Sequence, residues 1–546
     1  MRSVVSNKKT IVIVGAGISG LTAGAYILRN GHNLLILEKT SEYGGLVNSF
    51  SHEGFLFDTG PRAVGNAGIL VPMLEDLGID LPMVKGEVST GIKNHIVHYE
   101  SNKNIDDYIL SLKIFFPNAD KEIRRIERHI RSNTRMARTM NKVANPFFKD
   151  IRKDRKYLFA ELLPWLPSFI STVCRTGLYN RSIEEVLGSI SANQSLNDMV
   201  SQHFFKGTPA HFAFGYFENY QDYKYPLGGT AKLPKSIAQK ILSDGGVIQT
   251  NTEVVKVDPA EKTLTDLNGK EHSYDVLLWT ANLKDLYRRV DTKKLPSGLE
   301  LAIRQEGQKY LSVNTGESVF SIFLAVDESP DRYRKISKGH FIYTPQVRGL
   351  GDAHRTRLDR IKADFNRISK QELHQWLKDF CFYNSYEISI PVLKDNSLAP
   401  KNKTGLIISL LFDGELFQLV QKAGWYDEFR EKITGYMLDA LDGSIYPGLK
   451  DKILFVKSAT PITLMSRFNT ENGAITGWSL EGKSPVPDSL AGVLMAVNTA
   501  IPNTYKAGQW SYSPSGVPIA ILTGRIAAAA IQKDARRLSK QFHYQK

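Results

Sequence analysis

The stretch from Ile11 to Glu38 constrains this chain more than any other. An apolar, β-branched run, Ile11-Val12-Ile13-Val14, meets Gly15-Ala16-Gly17-Ile18-Ser19-Gly20. A helical stretch follows as far as Asn30-Gly31-His32, and a second strand, Leu34-Leu35-Ile36-Leu37, closes on Glu38. Each glycine answers a separate physical need. Gly15 allows a tight turn off the strand, Gly17 lets the backbone approach a pyrophosphate, and Gly20 lets the helix pack against the sheet. The helix start then presents free N–H groups and partial positive charge to a phosphate. Glu38 stands where a carboxylate accepts hydrogen bonds from ribose hydroxyls, and its charge disfavours a 2′-phosphate, so NADP is not expected here. Lys8-Lys9 before an apolar run also fits a leader peptide. The structured glycines and the strand that follows make this start part of the fold instead.

At 546 residues the chain has room for two or three domains, each with its own core. No stretch has the uninterrupted apolar length of a membrane span. The two cysteines, Cys174 and Cys381, lie far apart and outside metal-ligand spacing. No metal site and no disulfide framework is expected, and the cytoplasm is the expected compartment.

The formal charge of +14 is unevenly spread. Between Lys121 and Lys156, thirteen Lys or Arg stand against four acids, Glu122, Glu127, Asp150 and Asp154. Ile123, Ile126 and Ile130 recur there at helical spacing, ringed by Arg124, Arg125, Arg128 and Arg131, which predicts a basic amphipathic helix. An apolar, aromatic, proline-interrupted segment follows from Tyr157 to Ile170. Two readings stand side by side: a solvated basic face over a core helix, or a peripheral contact of residues 121–170 with the headgroups of an anionic membrane. Nucleic acid is not expected, because no nucleic-acid module surrounds the basic stretch.

Further pieces punctuate the chain. Tyr43-Gly44-Gly45-Leu46-Val47 supplies a glycine pair, and Phe55 to Arg62 reads as a strand ending in a Gly60-Pro61 turn. Tyr225-Pro226-Leu227-Gly228-Gly229-Thr230 opens a helix from Ala231 to Leu242. Alternating β-branched residues from Val247 to Val257, a turn at Asn268-Gly269 and the run Asp275 to Ala281 predict a small antiparallel meander beside the dinucleotide sheet. Strands such as Ser318 to Val326 suit a second, substrate-facing domain. Near the end, Gly508-Gln509-Trp510 leads through Ser515-Gly516-Val517-Pro518 into a small-residue helix, Ile521 to Ile531, whose start can face an electron-rich group.

Together these residues resemble the phytoene desaturase, carotenoid isomerase and retinol saturase group of the amine-oxidase-like FAD-dependent oxidoreductases. The likeness also rests on Glu253-Val254, Thr460-Pro461 with Arg467 and Gly473-Ala474, and Ser397-Leu398-Ala399-Pro400. It implies an α/β fold: a Rossmann-like FAD domain of the GR2 type, an inserted α+β substrate domain, and a helical segment that touches a membrane. The domain boundaries expected are 1–105, 225–290 and 495–546 for the FAD domain, 106–224 for the basic, aromatic helices, and 291–494 for the substrate domain. It implies non-covalent FAD held by Gly15, Ala16, Gly17, Ser19 and Gly20, by Glu38 and Lys39, by Gly44, Gly45 and Leu46, and by Gly60 and Pro61. Val254 would meet the adenine, and Gly508, Gln509, Gly516, Val517 and Pro518 would face the ring system. Two residues depart from the group's pattern: Leu46 stands where a polar residue is usual, and Gln509 where an acid is usual.

The activity implied is desaturation, saturation or isomerisation of a hydrophobic polyene or isoprenoid lipid. A flavin amine oxidase acting on a small polar substrate is the alternative, with Trp478 and Trp510 as its aromatic pair; a non-catalytic, membrane-binding flavin fold is another. The motifs name no catalytic acid or base. Arg62, directly after Gly60-Pro61, and Tyr225 are the candidates near the site, while His52, His95, His98, His203 and His211 stand in no recognisable constellation.

Overall fold

The computed structural model describes residues 8–101, 104–176 and 181–544. Five parallel strands make the first sheet, in the order Val247–Gln249, Asn33–Leu37, Thr10–Val14, Val276–Trp279 and Thr504–Lys506. Ile11, Val12 and Ile13 are wholly buried, which is what a parallel strand covered on both faces requires. The helix Ile18–Arg29 covers one face, together with Lys232–Ser243 and the long C-terminal helix Val517–Tyr544. The antiparallel meander is shorter than the sequence suggests: it comprises Val254–Asp258, Thr263–Asp266 and Glu271–Ser273, turning at Gly269 with φ +81°, whereas Val247–Gln249 and Val276–Trp279 pair in parallel within the first sheet.

The second sheet has seven strands, ordered Ile453–Ala459, Ser318–Val326, Thr404–Phe412, Tyr386–Ser389, His340–Thr344, Val88–Ile92 and His95–His98. Its last two strands lie in the stretch that the sequence assigns to the nucleotide domain, yet Val88–Ile92 pairs in parallel with His340–Thr344. The chain therefore crosses between the two sheets before residue 106. Alternation divides this sheet's faces. Phe320, Ile322, Phe341, Tyr386, Ile388, Ile408 and Leu410 pack under the helices Lys370–Tyr383 and Tyr426–Asp442, while on the other face Val319, Ile342 and Leu411 line a large cavity and Phe323 and Ile407 pack on Phe55 and Phe57.

The basic stretch forms the helix Asp120–Asn141. Ile123, Ile126, Ile130 and Thr134 are buried, and they pack against the helix Ala210–Asp222 rather than facing outward. Several of its arginines are paired within the protein: Arg124 with Asp120, Arg131 with Glu127, and Arg138 with Glu218. Its apolar stripe thus belongs to the core. The apolar segment after it behaves differently. A π-helical stretch, Tyr157–Leu162, continues as the helix Leu163–Thr176, with Phe159, Leu163, Leu166 and Ile170 exposed.

The C-terminal helix crosses the helix Ile18–Arg29 at glycine. A Cβ on Gly524 would lie 2.4 Å from the Ser19 carbonyl oxygen. Gly524→Ala should cost about 1–3 kcal/mol through overpacking. Gly188→Ala, in the helix Ile183–Ile190 with open space around it, should instead stabilise by about 0.5–1 kcal/mol. Denaturant midpoints compare the two, and equal effects would contradict the close crossing.

Candidate active site

Two glycine loops meet at the end of the first strand. Gly44 donates its N–H to the Ala16 carbonyl at 2.8 Å. A Cβ on Gly45 would sit 3.3 Å from the Gly17 Cα. Gly17, the cap of the helix Ile18–Arg29, satisfies none of that helix's first N–H groups with a side chain, and no acid follows in the first turn. A Cβ on Gly17 would meet nothing within 4 Å, so the loop faces open cavity. Free helix-end donors beside open space are what a pyrophosphate needs. Gly20 serves packing, since its Cβ would fall 2.1 Å from the Gly15 carbonyl oxygen.

Glu38 ends the second strand at the cavity wall. One carboxylate oxygen accepts from the Ala16 N–H at 2.7 Å, and the other from the Thr40 N–H and hydroxyl, each at 2.9 Å. A carboxylate has about four lone-pair directions, so acceptor capacity remains for ribose hydroxyls. Lys39 lies 3.6 Å from Glu253, and Arg289 pairs with Glu253 and donates to the Val254 carbonyl. Lys39 and Val254 both line the cavity.

The opposite end of the chain closes onto this loop. The strand Thr504–Lys506 delivers Gly508, whose φ is +93° and whose Cβ would meet the Ser19 hydroxyl at 2.7 Å. Its N–H donates to the Thr523 hydroxyl of the C-terminal helix at 3.0 Å. Gln509, Gly516, Val517 and Pro518 line the same cavity as Gly15, Gly17 and Glu38. Leu46 and Gln509 both lean on glycine through their carbonyls: a Cβ on Gly60 would lie 1.7 Å from the Leu46 oxygen, and one on Gly477 would lie 2.3 Å from the Gln509 oxygen. These contacts are made by backbone, and any side chain preserves them.

The cavity encloses about 1460 Å³ and runs on from the glycine loops to the second sheet. That exceeds the roughly 300–1,000 Å³ of a single-ligand pocket, leaving room for a dinucleotide and a second molecule. Val319, Ile342, Leu411 and Phe212 give this half an apolar wall, and Leu162, Trp165, Leu166 and Phe169 close its rim. Trp165 is tied to the basic helix by its indole N–H, which donates to the Thr139 carbonyl at 2.5 Å.

One polar corner interrupts the apolar wall. On the strand Tyr386–Ser389, Glu387 faces the cavity between Ile342 and Ser409 of the neighbouring strands. His340 Nε2 lies 3.0 Å from Glu387 Oε1, so that nitrogen carries the proton and Nδ1 is left an acceptor, buried without a partner. Burial would raise the Glu387 carboxyl. The His340 hydrogen bond and the charges of Arg62 and Lys394 outweigh it and hold the group at about 2. Burial lowers His340 and keeps it neutral, and it also brings Lys394 down to about 8. No sequence motif marks Glu387, His340 or Lys394; sheet register brings His340 to Glu387, and the short turn after the strand Tyr386–Ser389 brings Lys394.

Arg62 lines the cavity but is committed elsewhere. Its guanidinium donates to the Asp58 and Gly60 carbonyls at 2.8 and 2.9 Å and to the Ser409 hydroxyl at 2.6 Å, bracing the Gly60-Pro61 turn against the second sheet. Tyr225 is not among the lining residues, and its hydroxyl donates to Asp58 at 2.7 Å. Burial and the Asp58 charge raise Tyr225 far above the usual phenol range. His203 and His211 line the cavity, with burial bringing His203 down to about 4. His52 sits 3.6 Å from Glu53, and His95 and His98 bond to Ser111 and Ser89, away from the lining. Trp478 and Trp510 meet edge to face at 88°, and the Trp478 indole N–H donates to the Trp510 carbonyl. They do not form a parallel aromatic pair.

A phosphate-cradling glycine loop, a ribose carboxylate and a second chain end closing over them, opening onto an apolar chamber, define a dinucleotide-dependent redox enzyme. The model of the flavin-containing amine oxidoreductase family matches residues 18–532, and the chain belongs to that family. It is a flavin-dependent oxidoreductase, and its cofactor is FAD. An all-trans-retinol 13,14-reductase of Danio rerio is 22% identical over 91% of this chain and 82% of its own. A protein of the same organism named as an inactive all-trans-retinol 13,14-reductase is 21% identical over the same shares. Prolycopene isomerase 1 of an Oncidium hybrid is 22% identical over 96% of this chain and 84% of its own. Among solved structures, a putrescine oxidase variant superposes with TM-score 0.58 at 14% identity, over 96% of this chain and 99% of the other. Cyclohexylamine oxidase of Brevibacterium oxydans gives 0.56 at 12%, over 97% and 100%.

Gly17→Val should give a folded protein without flavin. Glu38→Ala should weaken FAD binding roughly tenfold, the scale of one hydrogen bond to a charged acceptor. Flavin fluorescence titration measures both, and wild-type affinity in Gly17→Val would contradict the assigned phosphate site.

Proposed function

We propose that this enzyme uses non-covalent FAD to desaturate, saturate or isomerise a hydrophobic polyene or isoprenoid lipid taken from a membrane surface. The observation that carries this reading is the continuity of one cavity from the glycine loops, past an apolar sheet face, to a rim built by the exposed helix Leu163–Thr176. A small polar substrate has no use for so long an apolar passage. The two relatives named for all-trans-retinol and prolycopene support the same substrate class.

In this reading the uncapped first N–H groups of the helix Ile18–Arg29, those of Ser19 and Gly20 among them, hold the pyrophosphate, while Gly15, Ala16 and Gly17 shape the loop, the Gly15 and Ala16 N–H groups being spent on the Leu37 carbonyl and on Glu38. Glu38, with Lys39, holds the ribose, Gly44 to Leu46 and Gly60-Pro61 hold the linker, Val254 meets the adenine, and Gly508 to Pro518 face the ring system. The bound flavin supplies the two-electron chemistry. The chain's own residues orient and enclose: Val319, Ile342 and Leu411 present a flat apolar floor to an extended chain of double bonds, and the rim excludes water. Tyr225 and Arg62 act by bracing the walls: the Tyr225 hydroxyl and the terminal nitrogens of Arg62 are engaged, and Arg62 Nε stands 3.9 Å from Glu387.

The membrane contact in this proposal falls on residues 157–176, beside the basic stretch 152–156. Arg152, Lys153, Arg155 and Lys156 are exposed, and Phe159 and Ile170 leave 63% and 53% of their surface accessible. Clustered cations next to exposed apolar side chains suit the anionic cytoplasmic leaflet. That agrees with a reducing compartment, where Cys174 and Cys381 stay unpaired.

Two experiments test this reading. Anaerobic mixing of the purified holoenzyme with polyenes should bleach the flavin absorbance, or reduced enzyme alone should turn them over; amines that bleach it with peroxide release, while polyenes do nothing, would overturn the substrate class. The wild-type protein should sediment with anionic vesicles at low salt. A Phe159→Glu, Ile170→Glu double variant should stay in the supernatant, since each acidic side chain costs about 2.5–3.5 kcal/mol within a bilayer.

A further inference from the structure

Glu387 is an ionised carboxylate in an apolar chamber, and one of its oxygens is unused. Oε1 receives the His340 hydrogen bond at 3.0 Å, whereas among the described residues Oε2 accepts none, its nearest cation being Arg62 Nε at 3.9 Å. The side chain keeps 41% of its surface accessible, and that surface faces the cavity rather than bulk solvent. A charged acceptor that has no donor from the protein takes one from a ligand or from water. Helix Ala210–Asp222 and the strand after it bring Tyr216, Tyr220 and Tyr223 to the same corner, with the Tyr216 and Tyr223 hydroxyls 2.5 Å apart and the Tyr223 ring over His340.

We propose that Glu387 Oε2 is the anchor for a hydroxyl-bearing end of the apolar substrate, a binding site that orients an isoprenoid alcohol in the cavity. This rests on the polyene reading above and narrows it. A hydroxyl donates to the carboxylate and keeps acceptor capacity for the neighbouring phenols. An ammonium end is disfavoured by Arg62 and Lys394 behind the carboxylate, and a carboxylate end by Glu387 itself. Proton donation is not the role of this group. It stays ionised at neutral pH, so it accepts hydrogen bonds and has no proton to give. Glu387 is therefore a binding and positioning residue.

Quenching of cavity tryptophan fluorescence, from Trp165, Trp279, Trp478 and Trp510, reports binding to the FAD-loaded protein without turnover. The probes are all-trans-retinol and its methyl ether, which keeps the polyene and loses the donor. Wild-type protein should bind the alcohol about tenfold more tightly, the scale of a hydrogen bond to a charged group. Glu387→Leu should bring alcohol affinity down to that of the ether, leaving ether affinity and flavin content unchanged, with Glu387→Gln between. Equal affinity of wild-type protein for alcohol and ether would overturn the anchor and leave the polyene reading standing. Binding of neither would overturn both. The wild-type comparison holds whether or not either variant folds.

Discussion

The closure of the C-terminal turn on the N-terminal glycine loop is the contact that organises this molecule. Ser19 is pressed from two sides: a Cβ on Gly524 would strike its carbonyl oxygen at 2.4 Å, and Gly508, held at φ +93°, sits over its hydroxyl. Each of those glycines lies nearly the whole chain away from Ser19. Everything between them, the second sheet, the helices over it and the rim, is inserted into a single nucleotide-binding unit whose first and last elements must meet. The proposed cofactor site therefore needs both the glycine loop and the Gly508 turn.

That arrangement also explains how one cavity serves two chemistries. Polar backbone groups concentrate at the strand ends of the first sheet, where a charged dinucleotide needs them. The second sheet turns Val319, Ile342 and Leu411 into the chamber beside a polar corner of His340, Glu387 and Ser409. Arg62 spans the junction, holding the Gly60-Pro61 turn to Ser409. The sheet register then places one carboxylate, Glu387, in that corner, with His340, Arg62 and Lys394 keeping it charged.

Local signals were legible and long-range pairings were not. The glycine loop, Glu38, the turn at Asn268-Gly269, the strand Ser318–Val326 and the small-residue C-terminal helix are written in contiguous residues, because steric need at a turn or a crossing selects glycine and alanine on the spot. The hairpin Val88–His98 reads like any short pair of strands, and nothing in its residues says that it pairs with a strand far along the chain, His340–Thr344. Periodicity found the helix Asp120–Asn141 but could not say which surface its isoleucines meet; they meet the helix Ala210–Asp222. Histidine identity drew attention to His52, His95 and His98, which lie outside the cavity, while His340 and Glu387 are joined only by register across neighbouring strands.

Whether the two chain ends share one cofactor is decided by the stoichiometry and affinity of FAD for the full-length protein and for Gly508→Val, by calorimetric titration of the flavin-stripped protein. One FAD per chain is expected for the wild type, with loss of binding in the variant, whose added side chain pushes the final turn off Ser19. Unchanged FAD affinity in Gly508→Val would show that the closing turn has no part in holding the flavin.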